Sequence, residues 1–182
     1  MGMGINSYQI SSKLRLVTAK PTAKPNMIKL DRTLTYRLHL LHKLTDAVSQ
    51  RAYVAGAGLS MSDGRCLTAV GTFAPLSVVD LAKKANLNKG QASRAAQSLA
   101  DQGLVLKAAS PTDGRGVVLT LTAKGQTAWQ RAMDVVAQRN LDIFGVLSTD
   151  EQARLSSFFD RLIDAARNDV QAGGEQADDS EN

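Results

Sequence analysis

A single cysteine, Cys66, stands among 182 residues, which excludes an internal disulfide framework and a cysteine-based zinc site. No apolar run exceeds four residues, Ala52 to Ala55, too short for a membrane span or the core of a signal peptide. Neither a phosphate-cradling glycine loop, nor a metal-ligand cluster, nor a Ser/His/Asp set is visible. An enzyme, a metal centre and a cofactor are therefore not expected. Hydrophobic residues still make up 43% of the chain, enough to bury a core. The expectation is a soluble cytoplasmic protein with one compact domain, appendages and no membrane partner.

Acidic residues are scarce where basic ones collect. The 22 Lys and Arg against 17 Asp and Glu give a net charge of +5. Residues 1–25 hold four cations and no acid, and residues 75–125 hold seven cations against three acids. Residues 126–182 reverse the sign, with five arginines against eleven acids. A cationic N-terminus and middle, with an anionic end, point to one surface that faces an anionic polymer, nucleic acid first of all.

Local patterns give the organisation. The tandem Thr18-Ala19-Lys20-Pro21 and Thr22-Ala23-Lys24-Pro25 reads as a basic flexible arm over 1–30, or merely as a leader. Asp31 is the expected cap of a long helix with Leu34, Leu38, Leu41, Thr45, Val48 and Ala52 on one stripe. Ser60 or Ser62 starts a second helix, stopped by Gly71 and Pro75, so that 31–74 form an N-terminal helical region. Within 75–125, Val78 to Ala82 form a short helix, Ala85-Asn86-Leu87 a break, and Asn88 caps another helix that ends at Gly103. That is helix-turn-helix spacing. Two β-rich runs, 104–107 and 117–122, flank a turn at 110–114 and add a hairpin wing. Over 126–170 two more helices follow, one with Ala128, Ala132, Val135, Val136 and Leu141 on a stripe, the other capped by Ser148 and Glu151. Residues 171–182 read as a solvated acidic tail. The fold class is mainly α with a small β-hairpin wing: a winged helix-turn-helix domain plus a helical dimerisation region.

Three stretches in register carry a family resemblance over roughly residues 31–167. Asn88-Lys89-Gly90-Gln91-Ala92-Ser93-Arg94 and Leu99-Ala100-Asp101-Gln102-Gly103-Leu104-Val105 resemble Asp-Lys-x-x-x-Ser/Thr-Arg followed by Leu-x-x-x-Gly-Leu-Val. Asp113-Gly114-Arg115 and Leu119-Thr120-Leu121-Thr122-Ala123-Lys124-Gly125 resemble Asp-x-Arg followed by Leu-Thr-x-x-Gly. Both patterns, and the order of elements, are those of the multiple antibiotic resistance regulator (MarR) family of dimeric bacterial transcription factors. Asn88 departs from the family by replacing Asp, Gly116 by standing where a second wing cation is common, and Gly64 by standing where an aromatic is usual. The Gly64 exchange predicts an enlarged effector pocket.

The outward side of the second helix of the pair carries Lys89, Gly90, Gln91, Ser93, Arg94 and Gln97. Gly90 admits the DNA backbone, Lys89 and Ser93 hold phosphate, and Gln91 and Gln97 read base edges. The resemblance gives Arg115, oriented by Asp113, a place in the minor groove. Specific reading of a palindromic operator calls for two such helices, hence a homodimer, with Leu155, Phe158, Phe159 and Leu162 as candidate interface residues. The resemblance also implies release by a small ligand, an anionic aromatic such as an aromatic acid or phenol, or a related CoA thioester. Tyr36, Arg37, His39, His42, Gly64, Arg65 and Trp129 are the candidate lining.

The leading expectation is a ligand-released transcriptional repressor. Two alternatives stand beside it: a redox-sensing repressor using Cys66, and a winged-helix protein-interaction module without specific DNA binding.

Overall fold

The computed structural model describes residues 28–109 and 116–178, with side chains through residue 170. The expected arm up to residue 27, the wing tip with Asp113 and Arg115, and residues 179–182 lie outside the described residues. The chain divides into two units, Met1–Leu40 and Leu41–Asn182.

In the first unit a 3-10 turn, Leu30–Arg32, precedes helix α1, Leu34–Ala57, which ends in the second unit. Thr33, not Asp31, caps α1. The Thr33 hydroxyl accepts the Tyr36 N–H at 3.3 Å and donates to Leu30 O at 2.8 Å, while Asp31 is held inside the 3-10 turn.

The second unit continues with α2 (Met61–Phe73), β1 (Leu76–Ser77), α3 (Val78–Ala85), α4 (Lys89–Asp101), β2 (Val105–Ala109), β3 (Val117–Leu121), α5 (Ala123–Phe144) and α6 (Thr149–Asp178). Short polar side chains start most of these helices. Ser60, Ser77, Asn88 and Thr122 each accept a backbone N–H three residues on. Asn88 and Gln91 form a full capping box at α4. The turn between α3 and α4 is made by Asn86 in the left-handed region, φ 53°, a conformation that asparagine tolerates better than most residues.

Gly71 does not stop α2, which runs on to Phe73. A Cβ there would collide with Cδ1 and Nε1 of Trp129, so the glycine lets the α5 indole lie against α2. The strands form an antiparallel sheet in the order β1-β3-β2, with Leu76 opposite Leu119 and Val105 opposite Leu121. The hairpin was expected from sequence; the two-residue β1 was not.

Leu67 of α2, Leu81 of α3, Leu99 of α4 and Leu119 of β3 are wholly buried together. Each contributes about 1.5–3 kcal/mol of burial. Ala92, Ala95 and Ala96 form the inward side of α4, and their small side chains let it approach α2 and α3 closely. This one core takes residues from α2 as well as from the helix-turn-helix. Among its described side chains, through residue 170, α6 has no buried residue. It also runs through Gly173 and Gly174 to Asp178, where a tail was expected from 171, because propagation adds a hydrogen bond per residue against about 1 kcal/mol per glycine. Among the described residues no helix is long and apolar enough to cross a membrane.

Candidate DNA-binding face and ligand cavity

Packing the alanines of α4 inward turns Lys89, Gly90, Ser93, Arg94 and Gln97 outward, and all five are exposed. No carboxylate pairs with Lys89 or Arg94 among the described residues. A Cβ at Gly90 would meet only Asn88 Oδ1 at 3.5 Å and Arg94 Nη1 at 3.6 Å, so the Arg94 guanidinium lies over the first turn. Gln91 is not free to read a base: its Oε1 accepts the Asn88 N–H at 3.2 Å, and the half-buried side chain completes the cap. Gln97 is tied at both ends, donating to Asp101 at 2.6 Å and accepting from Lys107 of β2 at 2.6 Å. Lys107 is a cation that sequence reasoning counted only towards the charge; the hairpin brings it beside α4.

A second feature lies among α1, α2, α3 and α5. His42, Arg65, Thr68, Thr72, Phe73 and Lys84 are among the residues lining a cavity of about 630 Å³. Asp46 holds two of its side chains, with Arg65 Nη2 at 3.1 Å and His42 Nε2 at 3.4 Å. Lys84 has no carboxylate partner among the described residues and sits 4.6 Å from the centroid of the Phe73 ring. The surplus charge therefore suits an anion, and Phe73 and Val136 supply apolar wall.

Of the expected ligand residues, His42 and Arg65 meet in this cavity. Tyr36, Arg37 and His39 belong to the first unit, on the exposed opening turns of α1. Gly64 does not enlarge a pocket. Its missing side chain is replaced by the buried Tyr53 ring, which a Cβ would strike at Cδ1. Trp129 packs on Gly71 instead of lining the cavity, and its buried Nε1 has no partner among the described residues. Lys84, Phe73 and the threonines were missed; of these, Lys84 left a signal, as a cation in the last turn of α3.

The redox reading of Cys66 is overturned. The residue is 0% exposed, and burial, reinforced by Asp63, pushes its thiol up to about 12. Sensing needs an accessible thiolate, and neither condition is met. In native protein at about pH 8, Cys66 should resist iodoacetamide and react at the ordinary thiol rate once urea unfolds the chain. The native thiol holds its proton where the unfolded thiol, with a pKa of about 8.5, has lost it. Stability from this group is therefore complete below about 8.5 and falls as pH rises from there. Labelling of the native protein at the unfolded rate would contradict the burial.

At the opposite end of the chain, Phe158 and Leu162 on α6 are 53% and 64% exposed, and Leu155 and Phe159 are half-buried against α5 in a recess with Phe144.

A helix-turn-helix with a capped, cation-bearing second helix, followed by an antiparallel wing on the same core, defines the winged helix-turn-helix class of DNA-binding domains. Comparisons with known proteins agree. Residues 57–116 match the MarR family. The HTH-type transcriptional repressor Rv2887 of Mycobacterium tuberculosis is 27% identical over 111 residues, 61% of this chain and 80% of that protein. Its crystal structure with salicylic acid superposes with a TM-score of 0.59 at 26% identity, covering 72% of this chain and 97% of that one. Bordetella bronchiseptica BpsR, whose DNA binding is regulated by 6-hydroxynicotinic acid, shares the fold with a TM-score of 0.67 at 19% identity, covering 75% and 96%. Over residues 57–116 the chain matches the MarR family, and the relatives it resembles there are transcriptional repressors and regulators.

Proposed function

We propose that the protein is a cytoplasmic homodimeric repressor that binds a palindromic operator and is released by a small anionic aromatic ligand. The observation that carries the reading is the exposed face of α4, where Lys89 and Arg94 stand without carboxylate partners among the described residues. In this reading α4 enters the major groove. Lys89 and Ser93 hold phosphates, Arg94 faces the bases, Gln97 reads a base once it exchanges its bonds to Asp101 and Lys107, and Lys107 adds a cation at the base of the wing. Arg115, oriented by Asp113, takes the minor groove, a role carried over from the family pattern. The uncovered apolar side chains of α6 support a two-fold interface through Leu155, Phe158, Phe159 and Leu162. The cavity cations Arg65 and Lys84, with the His42 imidazole beside them, support an aromatic acid as effector, the class of ligand bound by the Mycobacterium tuberculosis relative.

The test is selection of bound duplexes from a random pool, repeated with aromatic acids as releasing agents, on protein whose mass in solution is measured. A palindromic consensus, a dimer mass and release by at least one acid are expected. Binding to no duplex in a salt-sensitive manner would instead favour the protein-interaction module.

A further inference from the structure

Behind Arg65 lies a second chamber of about 230 Å³, lined in part by Tyr53, Met61, Arg139, Ile143 and Phe144. Arg65 and Val136 belong to the walls of both this chamber and the larger cavity, so the two adjoin. We infer that the effector site is bipartite: the larger cavity takes a carboxylate and the chamber behind Arg65 takes an apolar tail attached to it. The ligand class is then an extended carboxylic acid, such as an aryl-alkanoate, in place of a single-ring acid. The inference rests on the effector reading above and deepens it.

Charge separates the two compartments. On the cavity side two cations, Arg65 and Lys84, and the imidazole of His42 face one carboxylate, Asp46. On the chamber side Arg139 is already neutralised: its Nη1 is 2.7 Å from Asp142 Oδ2, its Nε donates to Ser49 Oγ at 3.3 Å, and its side chain is 13% exposed. A carboxylate gains little there, whereas Met61, Ile143, Phe144 and Tyr53 offer adaptable and aromatic surface to an apolar group.

Size points the same way. The larger cavity lies within the range of small-molecule sites, about 300–1,000 Å³, and the chamber falls below it, as an extension would. The partition can yield. Arg65 is held by Asp46 at 3.1 Å in a pair 31% exposed on each side, and such solvent-accessible pairs contribute little. A tail can therefore pass beside Arg65 while the guanidinium stays near the carboxylate it would bind.

The experiment compares benzoate with 4-phenylbutanoate by titration calorimetry on the full chain. Wild type should bind 4-phenylbutanoate about tenfold more tightly or better, from the added apolar burial. Ile143→Trp, which fills the chamber, should erase that advantage and leave benzoate unchanged, and Thr72→Trp should weaken both acids. Should Ile143→Trp fail to fold, Ile143→Ala must shift the preference towards 6-phenylhexanoate. Equal affinities in wild type, or an advantage that survives Ile143→Trp, would overturn the bipartite site while leaving a single-ring effector site standing. Failure of both acids to bind would overturn the effector reading and this inference together.

Discussion

Arg94→Ala is expected to weaken binding to the selected operator by about tenfold per half-site, and so on the order of 100-fold in a dimer. The reason lies in what surrounds the side chain. Arg94 is exposed on the second turn of α4, its guanidinium lies over Gly90, and no carboxylate among the described residues neutralises it. Its charge is therefore available to the duplex in full. Stability should hardly move, since an exposed Arg to Ala change within a helix falls inside about 0.5 kcal/mol. Salt dependence separates the two ways the residue can act. A phosphate contact gives a shallower slope of log affinity against log salt, by about 0.9 per contact, with every sequence weakened alike. A base contact leaves the slope and relaxes preference at one symmetric pair of positions. Filter binding or fluorescence anisotropy across a salt series, on the selected operator and a scrambled duplex, reads both. An operator affinity within twofold of wild type would remove α4 as the reading element.

Much of the winged domain was legible because its signals are local. Ser60, Asn88, Thr122 and Ser148 announce helix starts within three residues of the groups they cap, and the alanine stripe of α4 repeats at helical spacing. Pairings across helices were not legible. Gly64 looked like a missing side chain, but its space belongs to Tyr53, on a different helix, so the glycine marks a close contact and not a void. The same holds for Gly71 and Trp129. Strand β1 escaped notice because Leu76 and Ser77 sit at a helix start, and only pairing with β3 makes them a strand. Asp46 carried no motif, yet it links His42 and Arg65 at the cavity. Gln91 misled in the opposite direction, since one side chain cannot both close a capping box and reach for a base.

The α2 helix joins the two proposed functional regions. Only Gly64 separates Asp63, whose carboxylate accepts from Ser98 of α4 at 3.1 Å, from Arg65 in the cavity wall. Any ligand that displaces Arg65 acts on a helix already bonded to the recognition helix and packed in its core. The proposed ligand cavity and the proposed DNA face are thus linked through α2, a contiguous path along which coupling can run.

The largest loss of stability is expected at Gly125, where the wing meets α5. A Cβ there would run into the carbonyl oxygen of Leu104, with the Leu104 carbonyl carbon 2.8 Å away, and main chain cannot step aside as a flexible side chain can. The surroundings are also fixed by hydrogen bonds. Thr122 Oγ1 accepts the Gly125 N–H at 2.8 Å and donates to Gly103 O at 2.7 Å, Thr122 N–H donates to Leu104 O at 3.1 Å, and Lys124 Nζ reaches Gln102 O at 2.8 Å. Moving α5 away to admit a methyl group breaks that junction and withdraws Ala128 and Ala132 from the core. Gly125→Ala should cost about 3 kcal/mol, at the upper end for overpacking, offset by less than about 1 kcal/mol of improved helix propensity. In a chain of this size that lowers Tm by about 5–10 °C. Gly90→Ala is the control, because its Cβ meets only ordinary contacts, so the propensity gain should appear as a small rise in Tm. Thermal unfolding followed by circular dichroism reads both variants. A Gly125→Ala protein as stable as wild type would mean that α5 and the wing do not pack as tightly as Leu104 and Gly125 require.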